Sequence, residues 1–123
     1  MAKFSGAKVI ELSKKDFDNS FKIKSGKSGM VVFYAPWCHF CQMLVPEYKK
    51  LSMKSGIKVY AINVDENQEV TSNFGVQGFP TIKYVNKLGE IDGETYYGER
   101  DAESMMKFIK EKSMSFLFSK VHI

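Results

Sequence analysis

Cys38 and Cys41 are the only two thiols in the 123 residues, and only His39 and Phe40 separate them. They directly follow the apolar run Val31-Val32-Phe33-Tyr34-Ala35 and open a helical pattern. A pair at this spacing can open and close as a disulfide. The reactive species is the thiolate, and a helix N-terminus favours it by turning unpaired N–H groups and the positive end of the helix dipole toward the sulfur. Cys38 would occupy that place. Cys41, one turn further on, would be within reach to resolve a mixed disulfide formed at Cys38. The competing use of C-x-x-C is a zinc site. Zinc needs two further ligands, and the only histidines are His39, between the cysteines, and His122, near the end of the chain. The expectation is dithiol redox chemistry with no metal and no cofactor.

The rest of the composition agrees with a small globular unit. Hydrophobic residues make up 44% and aromatic residues 14% of the chain, enough for one domain spanning 1–123 without structural disulfides. Two cysteines this close cannot staple a fold, which leaves them for chemistry. No apolar run approaches the roughly 18–20 residues of a membrane span. Residues 1–12 lack the apolar core of a signal peptide, and Lys120-Val121-His122-Ile123 is no retention signal. The expected compartment is the cytoplasm on the sequence as given, with the endoplasmic reticulum lumen as the alternative. The net charge of +4 arises mostly in the first 28 residues, where seven lysines face Glu11, Asp16 and Asp18. These lysines are dispersed and accompanied by no arginine cluster, so a solvated face is expected and nucleic-acid binding is not. Gly26-Lys27-Ser28 resembles the end of a phosphate-binding loop, but the earlier glycine such a loop requires would fall on Phe21.

Positioning the pair calls for the following elements. Residues 9–12 read as a strand, Ser13 as an N-cap and 14–21 as a helix, followed by a surface loop over 24–29. Residues 30–35 form a continuous apolar run, the signature of a central strand covered on both faces. From Cys38 to about Met53 the pattern is helical, with Pro46 removing one backbone donor and predicting a kink. A strand over 57–63, a short helix over 67–74 and a strand over 81–85 come next. A hairpin connection over 86–93 leads to a strand near 94–97 and a helix capped by Asp101. Met30, Met43, Met53, Met105 and Met106 fall on these elements and are read as packing, and the apolar stretch 113–118 is read as lying against its own domain. The order βαβαββα predicts an α/β fold, a mixed sheet with helices on both faces.

Three separately placed motifs carry a resemblance: Ala35-Pro36-Trp37-Cys38, Pro46-Glu47-Tyr48 and Gly78-Phe79-Pro80-Thr81. Over nearly its whole length the chain resembles a thioredoxin-fold domain of the protein disulfide isomerase type. The resemblance implies that Cys38 is the nucleophile and Cys41 the resolving cysteine. It makes Trp37 a wall of the active-site surface and places a cis peptide bond at Pro80, which exposes the backbone of Phe79 for strand-like pairing with a substrate peptide. It makes Arg100, in Gly98-Glu99-Arg100, a cation that moves toward the resolving cysteine and favours its thiolate. Three positions depart from the family pattern. His39 and Phe40 replace a glycine and a histidine, a change expected to retune the potential. Val32 stands where the family keeps a buried acid that takes the proton from the second cysteine, which predicts slow turnover. Gln42 stands where isomerases commonly place a lysine.

The function implied is a thiol–disulfide oxidoreductase that exchanges disulfides in protein substrates, monomeric and served by a recycling reductase or oxidase. The alternative is a redox-weak peptide-binding or docking module that uses the groove beside Pro80. A third option is a metal or iron–sulfur centre shared by the cysteines of two chains.

Overall fold

The apolar run that leads to the cysteines forms the middle of the sheet. In the computed structural model, which describes residues 3–24 and 26–121 with side chains to Ser119, strand β1 (Val9–Glu11) is followed by β2 (Gly29–Tyr34), whose six residues are all buried. Helix α1 (His39–Ser52), β3 (Lys58–Asn63), α2 (Gln68–Asn73), β4 (Thr81–Val85), β5 (Ile91–Thr95) and α3 (Ala102–Val121) complete the order. From β2 onward this is the expected βαβαββα. Ser25 of the expected loop and His122 lie outside the described residues.

The five strands lie in the order β1-β3-β2-β4-β5. β3 pairs in parallel with β1 and β2, while β4 runs antiparallel to β2 and β5, so the sheet is mixed. Alternation along β2 sends successive side chains to opposite faces. Phe33 meets the ring of Phe74, the C-cap of α2, at 5.8 Å, and Phe17 and Phe21 join the same cluster. On the other face the Tyr34 ring lies 4.6 Å from Phe4, which in turn lies 5.4 Å edge-on to Tyr48 of α1. Val32 shares that second face, beneath the helix that carries the cysteines. α1 and α3 pack against each other there.

Helix α1 runs on through Pro46 without interruption. The donor Pro46 lacks would have bonded the carbonyl of Gln42, an exposed residue, so water can take the vacated acceptor. Tyr48, fully buried, donates its hydroxyl to the carbonyls of Met30 and Tyr60, tying α1 to two central strands.

Three expectations are corrected. The helix over 14–21 is reduced to one 3-10 turn at Lys14–Asp16. Asp18 Oδ1 accepts the backbone N–H groups of Ser20 and Lys22, and Phe21 takes a φ of 56°, so the chain turns back into a bridge between Phe17 and Ile23. A side chain that offers the backbone a turn in place of a helical bond outcompetes helix propensity over so short a stretch. The last strand begins at Ile91 rather than near Glu94, because the hairpin is tight: Asn86 Oδ1 accepts the N–H groups of Leu88 and Glu90. Gly89 completes this turn at φ 84°, where an added Cβ would stand 1.7 Å from the carbonyl oxygen of Ile23. Finally, Met43 on α1 and Met53 at its C-cap are exposed, and residues 113–118 continue α3 with Met114, Leu117 and Phe118 outward. Only Ser113 and Phe116 of that stretch turn partly inward, Ser113 Oγ lying 3.1 Å from the Tyr84 hydroxyl.

Candidate active site

Strand β2 ends at Tyr34, and the chain turns through Ala35, Pro36 and Trp37 before α1 begins at His39. Cys38 is the N-cap of that helix: its extended backbone places Sγ where a capping oxygen usually sits, accepting the N–H of Cys41 at 3.4 Å. An N-cap side chain satisfies one of the donors left open at a helix start. The Cys38 thiol also donates to the carbonyl oxygen of Phe79 at 3.4 Å. That contact joins residues 41 apart in sequence and brings the Gly78-Phe79-Pro80-Thr81 motif against the cysteine pair. The Phe79–Pro80 peptide bond is cis.

Both cysteines are free thiols. Cys38 keeps 7% of its surface accessible, Cys41 none. Burial, and next the hydrogen bond with Cys38, push the Cys41 thiol up to about 12. A hydrogen bond from the Ala35 backbone and the nearby Arg100 cation work the other way. The face of β2 toward α1 presents Met30, Val32 and Tyr34, all buried, and so holds no carboxyl group. The phenol of Tyr34 is engaged with Glu11, whose two carboxylate oxygens lie 2.9 and 2.6 Å away.

The surface around Cys38 is aromatic. Trp37 is 62% exposed and meets Phe79 edge-on at 6.2 Å, and Phe40 is 61% exposed beside His39. Next to Phe79 and Pro80 a groove of about 330 Å³ runs past Thr81 and Tyr97 to Arg100. The structure thus brings Trp37, Cys38, Phe79 and Pro80 together with Cys41 just beneath, and sets Arg100 in the same groove. Tyr96 and Tyr97, two groove residues absent from the sequence-based site, are signalled only by an aromatic pair directly before Gly98-Glu99-Arg100. Among the described residues no group of three or more His, Cys, Asp or Glu side chains could hold a metal ion, and no helix is long and apolar enough to cross a membrane.

Comparison with known proteins agrees with this geometry. The thioredoxin family profile matches residues 8–111. The chain is 39% identical over 112 residues to protein disulfide-isomerase tigA of Aspergillus niger, covering 87% of this chain and 31% of that protein. It is 44% identical over 101 residues to a protein disulfide-isomerase A6 homolog of Drosophila melanogaster, covering 79% and 22% respectively. The chain thus spans less than a third of the length of these relatives. Among solved structures, the Trx4 domain of ERdj5 superposes with a TM-score of 0.72 at 24% identity, covering 87% of this chain and 96% of that one. A single-site mutant of the thioredoxin from Halobacterium salinarum gives 0.70 at 29% identity, covering 85% and 90%. Taken with the capping cysteine and its contact to the Phe79 carbonyl, these matches place the chain in the thioredoxin family.

Proposed function

We propose that this chain is a thiol–disulfide oxidoreductase acting on protein substrates, folded as one thioredoxin-like domain over 1–123. The observation that carries the reading is the Cys38 thiol at the N-cap of α1, hydrogen-bonded to Phe79 at the edge of an open groove. In the reducing direction the Cys38 thiolate attacks a substrate disulfide. One substrate sulfur leaves as a thiolate and takes up a proton, while the other stays bonded to Cys38. Cys41 then loses its proton and attacks Cys38 Sγ. The Cys38–Cys41 bond forms, the mixed disulfide breaks, and the substrate departs reduced by two electrons as the pair is oxidised. Oxidation of a substrate dithiol is the same sequence reversed.

Position supports the following proposed roles. Cys38 and Cys41 are the reacting groups. Trp37, Phe79 and Pro80 face an extended substrate segment, whose backbone pairs beside Phe79. His39 and Phe40 flank the nucleophile and tune the balance between dithiol and disulfide. Arg100 stabilises the Cys41 thiolate at release.

The deciding experiment is equilibrium titration of the Cys38–Cys41 pair in glutathione buffers, read by thiol alkylation or Trp37 fluorescence. A reversible two-electron transition is the expected outcome. A potential near about −270 mV would go with a reductase in the cytoplasm, and one near about −180 mV or above with oxidase or isomerase work in the endoplasmic reticulum lumen. Absence of any transition would sink the enzyme reading. It would promote the second reading, a docking module using the groove beside Pro80, which the apolar Val32 beneath the cysteines favours. Replacing Cys41 by Ser separates the two directly, because an enzyme then accumulates mixed disulfides with many proteins and a docking module does not.

A further inference from the structure

Glu47, six residues after Cys41 in α1, does no work in the chemistry described so far, yet its carboxylate is fully engaged. Oε1 accepts the backbone N–H of Ala102 at 2.9 Å, a contact between residues 55 apart in sequence. Oε2 accepts from Lys50 Nζ at 3.1 Å. Ala102 is the first residue of α3, so its N–H is one of the donors that a helix start leaves open. Here the acceptor comes from another helix, the one that carries both cysteines.

A second tie lies three residues upstream of Ala102. The Tyr96 hydroxyl donates to the carbonyl oxygen of Glu99. Tyr96 is itself fixed: its N–H bonds the Ile82 carbonyl at 2.7 Å, and its ring packs 4.7 Å from Phe108 of α3. The turn closes so tightly over Tyr96 that a Cβ at Gly98 would stand 2.5 Å from the Tyr96 hydroxyl oxygen. Segment 99–102 is therefore held at its first carbonyl by Tyr96 and at its last N–H by Glu47. Arg100 sits between the two ties, in the groove with Phe79 and Pro80.

We propose that Glu47 is a positioning residue which, with Tyr96, holds Arg100 against the resolving cysteine. The proposal deepens the oxidoreductase reading and rests on it. Its logic is that Glu47 and Cys41 share one helix, so the anchor and the thiol it serves move as one body. An exposed arginine on a free loop would spend its charge on solvent, whereas a backbone clamped at both ends keeps that charge near the site. The charged and titratable groups around Cys41 are Cys38 at the cap of its own helix, Tyr34 from β2 and Arg100 from the clamped segment. Arg100 is the only cation among them and favours the Cys41 thiolate. Around Glu47 stand Lys50 and Asp101.

The test follows Cys41 alone, as its rate of alkylation by iodoacetamide against pH in a Cys38→Ser background, a rate proportional to the thiolate present. Glu47→Ala is expected to move the Cys41 profile upward by about one pH unit, equivalent to about tenfold less thiolate at a given pH below the midpoint. Arg100→Ala should move it as far, and the double variant no further, because both remove the same interaction. Glu47→Gln, whose amide oxygen can still accept the Ala102 N–H, should restore most of the shift. Tyr96→Phe removes only the other tie and should shift the profile in the same direction, which keeps the test open should Glu47→Ala fail to fold by circular dichroism. The proposal is overturned if folded Glu47→Ala or Tyr96→Phe leaves the profile at the parent position while Arg100→Ala moves it, or if the Glu47 and Arg100 effects add. Failure of the oxidoreductase reading would show separately, as the lack of a reversible dithiol transition in the unaltered protein.

Discussion

Cys38 and Cys41 occupy one turn of one helix, yet their surroundings differ. Cys38 lies at the rim, bonded to the Phe79 carbonyl and flanked by Trp37 and Phe40, both more than 60% exposed. Cys41 lies beneath, with no accessible surface, over the apolar face of β2 that includes Val32. Attack on a substrate needs access and a groove, and the rim supplies both. Release needs a proton taken from a buried thiol that its surroundings hold at about 12, and the strand below offers no base for it. In the proposed cycle, substrate choice and redox balance then fall to the first sulfur's neighbours, and turnover to the second's.

The most severe way to break this contrast is to remove either sulfur. Cys38→Ser should reduce turnover to the uncatalysed background, because the one remaining thiol, Cys41, has no accessible surface. Cys41→Ser should leave attack intact and stall the cycle at the mixed disulfide, visible as adducts on non-reducing gels. Equal loss of adduct formation in both variants would mean that the two thiols share the attacking role.

Next in size is Val32→Glu, which places a carboxylate on the strand face beneath α1. Release at neutral pH should quicken by about a hundredfold, the lower end of what a positioned base contributes. The fold should lose about 2–4 kcal/mol for the buried carboxyl, measured by denaturant titration. Lost stability without faster release would show that proton removal does not limit the cycle.

The pH dependence of the unaltered protein follows from the same imbalance. With the Cys41 thiol raised to about 12, single-turnover release should rise about tenfold per pH unit through the neutral range. The linkage to stability has a definite sign. The unfolded thiol loses its proton near about 8.5, before the folded one does, so above that pH the native state binds more protons than the unfolded state. Stability of the reduced protein should then fall as pH rises from about 8.5 toward about 12. The thiol's share of that slope should vanish in the disulfide form, leaving the share of the Tyr34, Tyr48 and Tyr96 phenols, which are raised as well.

How much of this was legible in the sequence depended on the range of the interactions. The buried strand β2 could be read from its unbroken apolar run, and the cap at Cys38 from the helical pattern that follows it. Both are set by neighbours within a few residues. Segment 14–21 misled because Asp18 and Phe21 close a turn whose aromatic partners, Phe33 and Phe74, are remote in sequence. Met43 and Met53 misled because a methionine on a helix is as compatible with the outer face as with the inner. Arg100 could be placed by resemblance, but the ties that hold it, Glu47 to Ala102 and Tyr96 to Glu99, cross between elements and leave no local pattern.

On the rim, Phe40→His puts a second imidazole between the cysteines and should favour the reduced pair, raising the potential by about 30 mV, a tenfold change in the exchange equilibrium. Titration against glutathione reads this directly. A change in release rate with no change in potential would move Phe40 from the first sulfur's neighbourhood to the second's.

The smallest effect expected is at Tyr97, and it probes the boundary of the rim. Its ring is 90% exposed and lines the groove that leads from Phe79 and Pro80 to Arg100. A side chain so open to solvent adds little to the fold, so Tyr97→Ala should change stability by less than about 0.5 kcal/mol. If substrate lies extended along the groove, the ring covers one of its side chains, a contact of about 1 kcal/mol for an aromatic partner. KM for a cysteine-containing peptide should then rise about fivefold, with kcat changed much less, since the ring touches neither sulfur. The opposite pattern, a fall in kcat at constant KM, would mean that Tyr97 acts through its neighbour Tyr96 on the segment holding Arg100. The groove wall would then belong to the release half of the site.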